Sequence, residues 1–197
     1  MTPWLSVVLM VMAYLMGSLS SAIIVCRLLG LPDPREQGSG NPGATNVLRF
    51  GGKKVAIVVL LGDALKGLIP VLIGHALDAP GWVLAGIGLA AFLGHLYPVF
   101  FRFEGGKGVA TSLGVWLGLS WVVGGLVILT WVAVAFISRI SSLSALVAAL
   151  AAPFYVMWWM GDIYLAGASA LMTALLFWRH RANIQRLRAG TESRIGK

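Results

Sequence analysis

The sequence contains little charge and almost no cysteine. Of its 197 residues only 11% are charged, 7 are acidic, and Cys26 is the single cysteine. One thiol cannot build a disulfide framework or a cysteine metal cluster within the chain. A soluble domain of this length needs far more charge to cover its surface, so that class is excluded. The first apolar run lacks a basic segment before it and a cleavage motif after it, so no signal peptide is expected.

Long apolar segments dominate instead. Hydrophobic residues make up 58% of the chain, and the mean hydropathy is +0.87. Because a membrane helix needs about 20 mostly apolar residues, the sequence predicts seven spans, at residues 3–28, 54–76, 81–101, 108–122, 124–138, 142–159 and 162–179. The stretch 108–138 is too long for one span, and Gly124 with Gly125 is the predicted interruption. We therefore predict an all-α, polytopic integral membrane protein with one domain over residues 1–197.

Basic residues define the orientation of these spans. With the N-terminus outside, all but one of the 15 lysines and arginines fall on the inner side; they are Arg27, Arg35, Arg49, Lys53, Lys54, Arg102, Lys107, Arg139, Arg179, Arg181, Arg186, Arg188, Arg194 and Lys197. The exception, Lys66, is inside a span, and the outer connections carry only Asp78 and Asp162. The C-terminus is then cytoplasmic, and the net charge of +8 suits anionic lipid or an anionic substrate better than nucleic acid.

The first glycine-rich segment, Gly38–Asn46, lies in the long inner connection. It formally contains GxGxxG, but no βαβ unit surrounds it, and Ala44 stands where a Walker motif needs lysine. Glycines still allow backbone N–H groups to converge on an anion. The alternative is a turn-rich connection between two spans. The candidate phosphate contacts are Ser39, Gly40, Asn41, Gly43, Thr45, Asn46 and Arg49.

Further candidates open or close other spans on the inner side. Lys107, between Gly106 and Gly108, precedes a helix whose N-terminus favours anions; the alternative is an orienting lysine in a glycine hinge. Ser142 and Ser144 open the sixth span as ligands or as plain N-caps. His180 and Asn183 follow the last span, where the alternative is a basic tail on anionic headgroups.

Ionisable residues also lie within the spans. Asp63 and Lys66 are three residues apart on one helix face, so they can pair. At that depth such residues indicate either function or an ion pair that stabilises helix packing. His95, toward the inner end of its span, is either a buried hydrogen-bonded histidine or a support for Lys107.

These motifs resemble those of the acyl-phosphate:glycerol-3-phosphate acyltransferases (the PlsY family), nearly end to end and in the same order. The residues that carry the resemblance are Gly38–Asn41 through Asn46 and Arg49, Gly62–Asp63 with Lys66–Gly67, His95 with Pro98, Gly105–Thr111, Ser142 and Ser144, Arg179–Arg181, Asn183–Ile184, Leu187 and Gly190–Glu192. Glu104 departs from the basic residue common there, which argues against a phosphate contact at that position.

The resemblance implies transfer of a fatty acyl group from acyl phosphate to the 1-hydroxyl of glycerol 3-phosphate in the bacterial cytoplasmic membrane, with no cofactor or metal. It implies catalytic roles for Lys107, His180, Asn183 and Arg49, and a supporting role for Glu192. The proton acceptor is either His180 or a phosphate oxygen of the donor. The sequence leaves the oligomeric state open and is compatible with a monomer. A transporter of a phosphorylated metabolite is the alternative, although it would need a midplane site.

Overall fold

The computed structural model describes residues 1–195, in which all regular elements are helical. Lys197, one of the basic residues assigned to the tail, lies outside this range. The helices are α1 (Pro3–Gly17), α2 (Ser21–Leu28), α3 (Ala44–Phe50), α4 (Gly52–Ala76), α5 (Gly81–Leu96), α6 (Val109–Leu119), α7 (Trp121–Ser138), α8 (Ser141–Met160), α9 (Ile163–Arg179) and α10 (Arg181–Arg188), with a 3₁₀ turn at Val99–Phe101 after α5.

Within the described residues, four helical segments are long and apolar enough to cross a membrane. They are α4, α5 with its 3₁₀ turn, α7 and α8. The pair α1 and α2 passes the same test together, although its axis bends by 45°. Helices α6 and α9 are apolar but shorter, with 11 and 17 residues. The structure therefore contains four or five candidate spans, and α6 and α9 occupy the other two predicted segments.

The first predicted span, 3–28, is two helices rather than one. Helix α1 ends at Gly17, and the Ser18 hydroxyl donates to the carbonyl of Tyr14 at 2.8 Å. The break exposes the carbonyl of Leu19, and Lys66 Nζ donates to it at 2.8 Å. A carbonyl freed from helical bonding in an apolar environment needs such a partner, so the buried lysine stabilises the bend.

The interruption predicted at Gly124 and Gly125 is wrong. The chain breaks earlier, at Ser120, whose φ of −161° and ψ of 127° are extended, and α7 runs through both glycines. Gly124 packs instead against Leu117 of α6, where a methyl group would overlap the leucine side chain. Its role is close helix packing at this hairpin, a role that sequence cannot separate from a helix break.

Helix α5 forms the centre of the core, with Ile87, Phe92 and Leu96 fully buried. Helices α4 and α6 pack unusually close beside it. A methyl group on Gly67 would overlap the carbonyl oxygen of Thr111, and one on Gly114 would overlap that of Ala64. Small residues at helix contacts allow this approach in membrane proteins. The close packing fixes the start of α6, and with it the loop that carries Lys107.

Candidate active site

The predicted site residues meet at one end of the helix bundle. The long connection before α4, the loop before α6, the start of α8 and the segment after α9 all contribute. Lys107 Nζ donates to Asn183 Oδ1 at 2.5 Å, across 76 residues of sequence. Arg49 Nη2 donates to Ser193 Oγ at 3.0 Å, across 144 residues. The bundle thus brings distant polar motifs to one surface.

Glu192 is the centre of the hydrogen-bond network. Its Oε1 accepts from Asn183 Nδ2 at 2.6 Å and from Ser142 Oγ at 2.9 Å. Its Oε2 accepts from Arg186 Nε at 2.6 Å. Because Asn183 also accepts from Lys107, the amide is oriented at both ends and fixes the ammonium beside α8. Glu192, which was predicted to have a supporting role, therefore connects three predicted site residues: Asn183 and Ser142 directly, and Lys107 through Asn183.

The electrostatics favour an anionic ligand. Burial, followed by the positive charge of Arg186, lowers the pKa of Lys107 to about 8. Burial acts to raise the pKa of Glu192, but hydrogen bonds from Asn183, Arg186 and Ser142 outweigh it and hold that pKa below the usual range. In the network around Glu192, the Lys107 ammonium and the Arg186 guanidinium outnumber the one carboxylate. Within residues 1–195 no three metal-ligating side chains lie close enough to hold a metal ion.

His180 lies between α9 and α10 and is only 3% exposed. Its Nδ1 is 2.8 Å from the carbonyl oxygen of Leu176. Since a carbonyl only accepts, Nδ1 carries the hydrogen and Nε2 has the lone pair. Burial lowers the pKa of His180 to about 4, so the imidazole is neutral at pH 7. A group with so low a pKa is a weak base at that pH.

Asn46 organises the glycine-rich connection. It is 2% exposed. Its Oδ1 accepts from the Ser39 backbone N–H at 2.9 Å, and its Nδ2 donates to the carbonyls of Pro34 and Gln37, each at 2.9 Å. The turn also uses φ of +68° at Gly40. The candidate phosphate contacts Ser39, Gly40, Asn41, Gly43 and Thr45 are exposed or half-buried. These residues remain available to a ligand, whereas the hydrogen bonds of the Asn46 side chain go to the backbone.

Arg35 is a residue of this region that sequence reasoning missed. Its guanidinium pairs with Asp33 at 2.7 Å and with Glu104 at 3.0 Å. The hydrogen bond from Arg35 is the largest contribution that holds the pKa of Asp33 below its usual range. The pair with Glu104 connects the glycine-rich connection to the loop of Lys107. The unusual acidic residue at position 104 therefore has a cationic partner, Arg35. The only local signal in the sequence for this role of Arg35 was the acidic Asp33 two residues before it.

The two serines at the start of α8 differ in their partners. The helix N-cap is Ile140, and neither serine makes a side-chain capping bond. Ser142 donates to Glu192, as described above. Ser144 is fully buried and donates to the carbonyl of Ile140 at 2.8 Å. The plain N-cap interpretation is thus wrong for both, and Ser142 belongs to the polar network.

The ion pair predicted inside the bundle forms. Lys66 Nζ is 2.8 Å from Asp63 Oδ1, and His95 Nδ1 is 3.7 Å from the same oxygen. The other side of the imidazole contacts Gly106, whose backbone N–H donates to the His95 carbonyl at 3.2 Å. A methyl group on Gly106 would overlap the ring. The cluster therefore packs against the loop that carries Lys107.

An apolar cavity of about 90 Å³ adjoins the polar network within the bundle. Its walls include Val109, which follows Lys107 by two residues, and Ala145 and Leu176, which are close in sequence to Ser142 and His180. Trp116 lines it further along α6, where its indole N–H donates to Ser169 Oγ at 2.9 Å. The cavity is therefore lined by residues that follow or precede Lys107, Ser142 and His180 by two to four positions in the chain.

Comparison with known proteins gives a consistent result. A sequence model described as Glycerol-3-phosphate acyltransferase matches residues 7–190. The glycerol-3-phosphate acyltransferase of Methylococcus capsulatus is 60% identical over 184 residues, which is 93% of each chain. Two crystal structures of PlsY (YgiH), an integral membrane glycerol 3-phosphate acyltransferase, superimpose well. The glycerol 3-phosphate form has a TM-score of 0.93 at 41% identity and covers 97% of this chain and 96% of that one. The lysophosphatidic acid form has a TM-score of 0.91 at 40% identity, with 97% and 95% covered.

Proposed function

This chain belongs to the glycerol-3-phosphate acyltransferase family, and we propose that it acylates the 1-hydroxyl of glycerol 3-phosphate with acyl phosphate as the donor. The products are lysophosphatidate and inorganic phosphate, in the first acylation step of bacterial phospholipid synthesis. The observation that carries this proposal is the network from Lys107 through Asn183 and Glu192 to Ser142, built from three separate motifs beside an apolar cavity.

Phosphate recognition is assigned to groups that lie at this end of the bundle. Lys107 and Arg49 supply full positive charge. Ser39 and Asn41 supply donors from the glycine-rich connection, with Gly40 leaving its backbone accessible. Two phosphates must be held, one on each substrate, and separate basic groups, Arg49 at the end of α3 and Lys107 in the loop before α6, suit that requirement. Asn183 and Glu192 act by holding the Lys107 ammonium in place.

The reaction needs little chemistry from the protein beyond positioning and charge neutralisation. The acceptor oxygen forms a bond to the acyl carbonyl carbon, and the bond from that carbon to the phosphate oxygen breaks. The departing phosphate carries the negative charge that Lys107 neutralises. We assign the hydroxyl proton to a phosphate oxygen of the donor, because the pKa of about 4 makes His180 a weak base. Its Nε2 then serves as a hydrogen-bond acceptor that orients a substrate hydroxyl.

The acyl chain is assigned to the apolar cavity and to the lipid beyond it. Val109, Ala145 and Leu176 place the cavity wall within a few residues of the polar network. A donor with its phosphate at Lys107 can therefore direct its chain between the helices. This arrangement keeps the reacting carbonyl at the border between polar and apolar surroundings.

The proposed topology has seven membrane segments in a single domain, with the N-terminus outside and the site on the cytoplasmic side. The bent pair α1–α2 counts as one segment, and α6 and α9 complete the set. With a rise of about 1.5 Å per residue, α6 extends only about 16 Å, roughly half of the hydrocarbon core. The clustering of Arg49, Lys107 and Arg186 at one end of the bundle supports this orientation.

The reaction is tested with purified protein in detergent, supplied with glycerol 3-phosphate and one pure donor at a time. We expect a long-chain acyl phosphate to release phosphate and to yield lysophosphatidate by mass spectrometry, and acyl-CoA to be a poor donor. Turnover in detergent requires no compartment, so it separates an enzyme from a transporter. Efficient use of acyl-CoA with acyl phosphate inert would contradict the donor assignment.

The topology is tested by cysteine labelling in intact cells. Cys26 is buried, so the background should be low. Asp78→Cys should react with an impermeant maleimide from outside, whereas Gln37→Cys and Gln185→Cys should react only after permeabilisation. The opposite pattern would contradict the proposed orientation.

A further inference from the structure

Arg179, at the end of α9, contacts the backbone of the loop that carries Lys107. Its Nε donates to the Gly106 carbonyl at 3.0 Å, and its Nη2 donates to the Gly105 carbonyl at 2.5 Å. The Tyr97 ring lies on the same guanidinium, with its centroid 6.0 Å from Cζ. Two of the guanidinium nitrogens therefore donate to protein carbonyls. These hydrogen bonds stabilise the loop and leave fewer donors of this arginine for an anionic ligand.

The loop needs such a contact because its glycine-rich sequence does not favour one backbone conformation over others. Three glycines surround Lys107, and Gly108 has φ of +90°. Glycine has more conformational freedom to lose than any other residue. Four residues after Arg179, in α10, Asn183 accepts a hydrogen bond from the Lys107 ammonium. One short segment thus holds both the backbone before Lys107 and the tip of its side chain.

The geometry assigns Arg179 as a positioning residue that sets the place of the Lys107 ammonium by clamping the carbonyls of Gly105 and Gly106. The inference extends the proposed function, on which it rests, to a residue outside the proposed substrate contacts. A planar guanidinium can serve two adjacent carbonyls at once, whereas a lysine offers a single point of charge. Arg179→Lys therefore retains the charge and loses the clamp.

The charge of Arg179 provides a second, independent readout. The charged groups that act on Lys107 are Arg186, Glu192, Arg179 and Arg49. The three arginines lower the pKa of this lysine, and Glu192 raises it. Arg179→Gln removes one positive charge, so the pKa of Lys107 should rise. Arg179→Lys should leave it near the wild-type value.

The test compares Arg179→Lys and Arg179→Gln with wild type, with Arg181→Lys and Arg181→Gln as matched controls. Arg181 is exposed, and its guanidinium stacks on the Trp178 ring at 4.9 Å and donates to the Trp178 carbonyl. Phosphate release gives kcat and the KM for glycerol 3-phosphate. Gel filtration and Tm show whether each variant folds. Acetic anhydride labelling of Lys107 across a pH range, quantified by mass spectrometry, gives the titration midpoint of the amine without relying on activity.

We expect kcat of Arg179→Lys to fall roughly tenfold to 100-fold with a smaller change in KM, since a displacement of about 1 Å can cost 100-fold. The labelling midpoint should move to higher pH in Arg179→Gln only, and the Arg181 variants should resemble wild type. A folded Arg179→Lys with kcat within about twofold of wild type, or with an effect on KM alone, overturns the inference. An unmoved midpoint in Arg179→Gln does the same, and if that variant does not fold, Arg179→Lys decides. Failure of the proposed function would appear separately, as an inactive wild type.

Discussion

Replacement of Glu192 by glutamine tests the polar network most directly. The amide oxygen can still accept from Asn183 and Ser142, while the new NH₂ group faces Arg186, which is 43% exposed and can turn to solvent. A hydrogen bond to a charged group contributes about 1.5–3 kcal/mol and a neutral one about 0.5–1.5. Each of the two weakened bonds loses about 1–1.5 kcal/mol, so together they cost about 2–3 kcal/mol. The exposed pair with Arg186 adds little, because such pairs contribute roughly 0–1 kcal/mol.

If the whole of this loss weakens the placement of Lys107 in the transition state, turnover should decrease about 30-fold to 160-fold. The carboxylate also raises the pKa of Lys107. Without it that pKa falls below about 8, so less of the lysine is protonated at any given pH. The decline of activity at alkaline pH should therefore begin at a lower pH in Glu192→Gln than in wild type.

The assay is phosphate release from acyl phosphate at saturating glycerol 3-phosphate, measured across pH for both proteins. Glu36→Gln is the matched control, since it removes the same charge at an exposed position of the long connection. A folded Glu192→Gln that equals wild type in rate and in pH profile would refute the role of the network. A shift of the alkaline limb to higher pH would refute the electrostatic argument.

Three further results are expected. Lys107→Ala should reduce phosphate release at least about 100-fold while Tm stays near wild type, because it removes the proposed charged contact to the transferring phosphate. The exposed tail variant Arg194→Ala should stay within about twofold of wild type, and equal activity of the two variants would contradict the assignment. In wild type, kcat/KM should fall as pH rises through about 8, where Lys107 loses its proton; a rate that stays constant well above that value would show that the ammonium is not required. Gly106→Ala should lower Tm, because the added methyl group overlaps His95, and an unchanged melting curve would contradict that packing.

Local signals in the sequence predicted the helices and one polar contact, the ion pair of Asp63 and Lys66. Each predicted apolar segment contains helix in the structure, and the three-residue spacing of Asp63 and Lys66 produced the predicted ion pair. Lys107 stands directly before the helix it was expected to open. Hydropathy and helical spacing are properties of neighbouring residues, so they can be evaluated without the fold.

The errors arose where tertiary packing decides. Gly124 resembled a helix break, yet it lies inside α7 because Leu117 of the neighbouring helix occupies the space beside it. The bend between α1 and α2 depends on Lys66, which is 47 residues away from the carbonyl it stabilises. Neither contact has a local signature in the sequence.

The arrangement of the site could not be predicted from the sequence for the same reason: its contacts join residues that are far apart in the chain. Glu192 was predicted only as a support, and its central position depends on Ser142, 50 residues earlier in the chain. The contact between Arg35 and Glu104 spans 69 residues. Residue types predicted that phosphate chemistry occurs at this end of the bundle, but the partners of each side chain required the three-dimensional structure.

The close contact between α4 and α6 has a consequence for genetics. Gly67 and Gly114 are not members of the polar network, but neither has space for a methyl group. A screen for variants that fail to support growth should recover alanine at these positions as readily as alanine at Lys107. Protein abundance would separate the two groups, because the glycine variants should be degraded, whereas the lysine variant should accumulate as a full-length, inactive protein.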